Sequence, residues 1–208
     1  MGIGGHGSAF DSCKFVSIRG SKLMTLTLAT LIPGFLLLAM GALLLVSNSA
    51  IVTGLKRLPR SQSAAFLFFG AGALWFLFRV WHLSPADFGD YRKQLTIFFA
   101  IVAVASFFYV PDFLAVRGLC VLVLLGATNL LDAGYMNWTY GEVWDGGRIY
   151  LYKIAVILAV AVAIYLGAAP YRLRDFFDWL FRVPQRARVL GGAFAAYGLL
   201  LCVVALTY

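Results

Sequence analysis

At 208 residues, 62% of them hydrophobic and only 12% charged, the chain has too few charges to wet the surface of a soluble domain. Its formal charge of +8 would suggest nucleic acid in a soluble protein, but the basic residues gather at the ends of apolar runs, where membrane topology and anionic lipid headgroups account for them instead. Cys13, Cys120 and Cys202 are too dispersed for a disulfide framework or a zinc site.

Residues 1–22, opening MGIGGHGSAF, are Gly-rich and polar and go on to Lys14, Arg19 and Lys22. They read as a disordered tail, or as an extension upstream of a natural start at Met24. His6 stands where a myristoylation signal needs Ser or Thr. Residues 23–208 read as one transmembrane domain. The first apolar run, Leu23 to Val46, outlasts the roughly 7–15 residues of a signal peptide's apolar core, so it is read as a retained helix, kinked at Pro33-Gly34.

Lys56, Arg57, Pro59 and Arg60 close the first turn, and Ala64 to Leu83 forms the second run. The third, Gln94 to Tyr109, is short and reaches full length by including Asp90 to Lys93. Val110-Pro111-Asp112 stops it, and Phe113 to Leu131 is the fourth. Asp132 to Arg148 is a polar loop rich in Tyr and Trp. Ile149 to Gly167 and Val189 to Leu206 complete the set. The expected fold is an all-α membrane protein: six transmembrane helices near 23–47, 64–83, 91–109, 113–131, 149–167 and 188–206, in three hairpins, plus one interfacial amphipathic helix.

That last helix comes from PYRLRDFFDWLFRVPQRAR, Pro170 to Arg188. Read as helical near 172–182, it sets Leu173, Phe176, Phe177 and Leu180 on one face. Arg174, Asp175, Asp178 and Arg182 fall opposite, with Arg174–Asp178 and Asp178–Arg182 spaced for pairing. Trp179 and Phe181 sit at the borders, and Arg172 opens the stretch. Such a helix lies in a membrane surface.

Two stripes of small residues point to close helix packing. Ala155, Ala159, Ala163 and Gly167 recur every four residues in the fifth run. Gly191, Gly192, Ala195 and Ala196 repeat that spacing in the sixth, so both helices are expected against neighbours, each other included. The turns after helices one, three and five hold Lys56, Arg57, Arg60, Arg117 and the five arginines of 172–188. Most acidic residues fall on the other side. The positive-inside bias therefore places both termini and the 132–148 loop outside, and the chain is read as a bacterial inner-membrane protein.

Signatures of chemistry are sparse. His6 and His82 are the only histidines, and HExxH, Walker A and G-x-S-x-G patterns are missing. Asp87/Asp90 and Glu142/Asp145 lie in hydrated loops and read as solvated charge. No cofactor or metal is expected. What remains is a polar set in the outer third of the membrane: Arg79, His82, Asn129, Asp132 and Lys153. Its members either snorkel to the interface or face a wet cavity. Asp132 and Lys153, at facing helix ends, are expected to pair.

Three function classes stay open. A structural or accessory membrane component fits the small-residue faces and needs no reactive constellation. A small transporter or solute-binding protein would use the outer polar set as its cavity. A lipid-acting enzyme would need a convergent acid–base set that the sequence does not offer. Expected partners are membrane lipids, with anionic headgroups at the basic face, and a membrane-protein partner or second copy.

Overall fold

A computed structural model of the chain describes residues 25–83, 91–109, 112–138 and 146–207, and every regular element among them is helical. The tail 1–22 and the carboxylate pairs Asp87/Asp90 and Glu142/Asp145 lie outside the described residues. The elements are α1 (Leu26–Val46), α2 (Ser49–Arg57), a 3-10 turn (Leu58–Arg60), α3 (Gln62–Trp81), α4 (Arg92–Tyr109), α5 (Leu114–Trp138), α6 (Gly146–Ala168), α7 (Tyr171–Arg182) and α8 (Pro184–Ala205). Six of them, α1, α3, α4, α5, α6 and α8, are long and apolar enough to cross a membrane. At 1.5 Å per residue the shortest, α4 with 18 residues, is about 27 Å long.

Local chemistry sets the boundaries. The Thr25 hydroxyl accepts from the Leu28 amide at 3.4 Å and starts α1. Ser47 ends that helix in the left-handed region, φ 31°. Ser61 accepts from Ala64 at 3.3 Å and starts α3. Pro184 opens α8 at a position that needs no amide donor.

The spans of the three expected hairpins, α1 with α3, α4 with α5 and α6 with α8, are not the main packing partners. The most extensive contact joins α1 to α8, followed by α3 with α5 and α5 with α6. The α1·α8 pair is antiparallel and meets through backbone. A Cβ built on Gly41 would lie 2.5 Å from the Ala195 nitrogen and 2.7 Å from the Gly191 oxygen. One on Gly198 would lie 2.6 Å from the Leu38 nitrogen and 2.7 Å from the Gly34 oxygen. Gly34 and Gly191 are similarly hemmed in, at 3.1 Å from Leu201 Cβ and 2.9 Å from Leu44 Cβ. Glycine is what lets these two backbones touch.

The α3·α5 pair is parallel and repeats the device. A Cβ on Gly118 would overlap the backbone of Phe68 and Phe69, and one on Gly72 would sit 3.3 Å from the Gly118 oxygen. The α5·α6 seam is filled by side chains. Val116 and Cys120 pack on Ala163, while Ala127, Ile149, Tyr152 and Val156 join Leu201 of α8 in a second cluster. Outermost is α4, with no buried residue, held to α3 by rings: Phe107 lies 5.0 Å from Phe66 and 5.2 Å from Phe69, and Phe99 lies 5.1 Å from Phe76.

The small-residue stripes are used differently from their expected roles. In α6, Ala163 is buried and Ala155 and Gly167 half-buried, but Ala159 is exposed. Four residues turn an α-helix by about 400°, so an i+4 line drifts about 40° per step and leaves any one interface. The buried line runs instead through Ile149, Tyr152, Val156 and Ala163. In α8, Gly191 is buried against α1, Gly192 and Ala195 are half-buried and Ala196 is exposed. A Cβ on Gly192 would meet nothing within 4 Å. The contact between α6 and α8 is slight, so each stripe serves another neighbour: α5 for α6, and α1 for α8.

Two comparisons test this packing by thermal unfolding in detergent. Gly198→Ala is expected to cost about 1–3 kcal/mol by overpacking, whereas Gly192→Ala is neutral or stabilising by up to ~1 kcal/mol. Ala163→Leu is expected to lower the melting temperature, while Ala159→Leu leaves it within about 0.5 kcal/mol of the parent.

Candidate functional site

The residues that gather are at the basic end of the bundle. After Ser47 breaks α1, Asn48 is extended and α2 turns away, carrying half-buried Ile51, Val52 and Leu55 beside exposed Lys56 and Arg57. The 3-10 turn follows, with Pro59 fully buried. On the same end α7 turns Leu173, Phe177, Leu180 and Phe181 inward. Leu180, 1% exposed, packs with Leu44 and Ala187, and Leu173 reaches the Val116, Cys120 and Ala163 cluster. One amphipathic helix thus bridges α5 and α6 to α1 and α8.

Its charges pair otherwise than the i,i+4 spacing suggests. Arg174 donates to the adjacent Asp175, Nη2 at 3.0 Å and Nε at 3.2 Å. Asp178 takes Lys56 of α2, at 3.0 Å. The reason is tertiary: α2 brings an ammonium group within reach of Asp178, and this sets aside the pairs available within α7. Lys56, Pro59, Arg174 and Asp178 line a cleft between the two amphipathic elements.

The opposite flank of α7 is aromatic. Phe176 and Trp179 are exposed and stack with centroids 6.1 Å apart. The guanidinium of Arg186, in the first turn of α8, lies 4.7 Å above the Trp179 ring and donates to the Trp179 carbonyl at 3.4 Å. Arg172 lies 5.7 Å over Tyr171. Arg182 is exposed at the end of the helix.

The outer polar set sits at the other end. Arg79, His82 and Asp132 are exposed, and Asn129 and Lys153 half-buried. His82 Nδ1 lies 2.8 Å from the Phe78 carbonyl, and Asn129 donates to the Leu125 carbonyl at 3.5 Å, so each is engaged with its own helix. Two clefts among the described residues are lined elsewhere, one at the basic end and one by Leu31, Ile32, Phe35 and Leu36. Among the described residues no cluster of His, Cys, Asp and Glu could hold a metal ion.

Sequence reasoning passed over α2. Its signal was present: Asn48 at the N-cap position, then Ile51, Val52 and Leu55 at helical spacing, with Lys56 and Arg57 in the last turn. The Lys56–Asp178 pair is half-exposed to exposed, so a double-mutant cycle with Lys56→Met and Asp178→Asn is expected to give a coupling of about 0.2–1 kcal/mol that shrinks at high salt.

No family model matches the chain, and no curated protein or solved structure matches it.

Proposed function

We propose that the chain is an integral component of a bacterial plasma membrane with a structural or accessory role. Its basic end faces the cytoplasm, α2 and α7 lie in the membrane surface among anionic headgroups, and the termini and the 132–148 loop face outward. The observation that carries this reading is how the interior is occupied: α1 and α8 meet backbone to backbone, while Arg79, His82 and Asp132 reach the surface. Orientation is supported by Lys56, Arg57, Arg172, Arg174, Arg182, Arg186 and Arg188 standing together on the two amphipathic helices or beside them. The exposed apolar sides of α3, α4 and α6 offer surface to lipid, a partner helix or a second copy.

Three measurements test it. A cysteine at position 140 is expected to react with an impermeant reagent in intact cells; reaction only after permeabilisation reverses the orientation. Purified protein in proteoliposomes is expected to move no solute, and crosslinking in membranes to capture a stoichiometric membrane partner or a second copy. Solute uptake abolished by Asp132→Asn with Lys153→Met would replace this reading with transport.

A further inference from the structure

The arginines around α7 fall into two electrostatic classes. On the flank facing α2, Arg174 is bound to Asp175 and Lys56 to Asp178, so the cleft between them is close to neutral. On the aromatic flank, Arg172 and Arg186 make no ion pair among the described residues. Each is instead set against a ring, Tyr171 or Trp179. Arg172, Phe176 and Trp179 stand at i, i+4 and i+7, on one side of the helix, and Arg186 reaches that side from α8. Arg186 uses one of its five donors on the Trp179 carbonyl, and the exposed ring beneath fixes its plane.

We infer that this flank is a binding ledge for the phosphodiester of an anionic phospholipid. Arg172 has one acidic neighbour, Asp175, which Arg174 already holds, so the flank keeps net positive charge. The planar guanidinium fork matches phosphate oxygens bidentately, and Phe176 and Trp179 offer apolar surface for the glycerol and upper acyl region beside it. A soluble anion would gain from the arginines but nothing from the exposed rings, so lipid is the occupant the whole ledge fits. The inference rests on the placement of α7 in the membrane surface proposed above.

Native mass spectrometry of the full chain released from nanodiscs of mixed phosphatidylglycerol and phosphatidylcholine tests it. Wild-type protein is expected to retain phosphatidylglycerol in preference. Arg172→Gln with Arg186→Gln should lower that preference about thirtyfold, at about 1 kcal/mol for each basic residue at the surface. Lys56→Gln with Arg174→Gln removes the same formal charge from the compensated flank and should lower it far less. Arg172→Lys with Arg186→Lys keeps the charge and loses the fork, so its loss should be intermediate and its fold undisturbed. An equal fall in the two Gln double variants overturns the ledge while leaving the membrane-surface placement intact. Wild-type protein with no preference overturns both, and displacement of the lipid by inorganic phosphate overturns the lipid assignment.

Discussion

The close approach of α1 and α8 is the contact on which the rest of the bundle leans. Between apolar helices in an apolar solvent the hydrophobic effect supplies no attraction, so association comes from packing and short-range polar contacts. Gly34, Gly41, Gly191 and Gly198 let the two backbones come within van der Waals reach over two turns, where Cα–H groups face carbonyl oxygens. With α8 fixed, Leu201 is carried into the cluster of Ile149, Tyr152 and Val156, and the Tyr197 hydroxyl donates to the Leu151 carbonyl at 2.8 Å. Leu44 and Ala187, at the basic end of the same pair, form the seat for Leu180 of α7. The amphipathic helix is positioned by the glycine contact beneath it.

A second pair, α3 with α5, uses the same device in parallel orientation and organises the other half of the bundle. The seam between α5 and α6 then joins the halves through side chains of unequal size rather than through backbone. Against this, α4 buries no residue and meets α3 chiefly through stacked and edge-on phenyl rings, each pair contributing about 0.5–1.5 kcal/mol beyond its buried area, with Phe107 also packed on Ala65, Leu114 and Ala115. Packing therefore weakens outward from α1·α8 to α4, and with it the cost of displacing a helix.

How much of this was legible follows from which physical signal each feature leaves in the sequence. Span existence depends on apolar length, a one-dimensional quantity, so five of the six apolar runs lie within a few residues of α1, α3, α4, α6 and α8, whereas α5 runs on to Trp138, seven residues into the stretch expected as a polar loop. The helix at Tyr171–Arg182 leaves a periodic pattern and was equally readable. Partner choice depends on three-dimensional surface shape. Glycines spaced by seven in α1 and again in α8 are the informative pattern, because seven residues turn the helix by about 700° and return to nearly the same face. The i+4 alanines of α6 are more conspicuous and less informative, as exposed Ala159 makes plain. The Lys56–Asp178 pair was hidden for a related reason: α2 is short, and the i,i+4 partners Arg174 and Arg182 within α7 looked sufficient for Asp178.

Order of synthesis gives the α1·α8 contact a consequence of its own. The stretch of chain that carries Gly34 and Gly41 is made well before the one that carries Gly191 and Gly198. About 160 residues separate Val46 from Ala205, and at roughly 5–20 residues per second the first span waits on the order of ten to thirty seconds for its partner. Through that interval its glycine groove stands open in the membrane, where any other small-faced helix meets it first. A chain that stops short of α8 leaves it open for good.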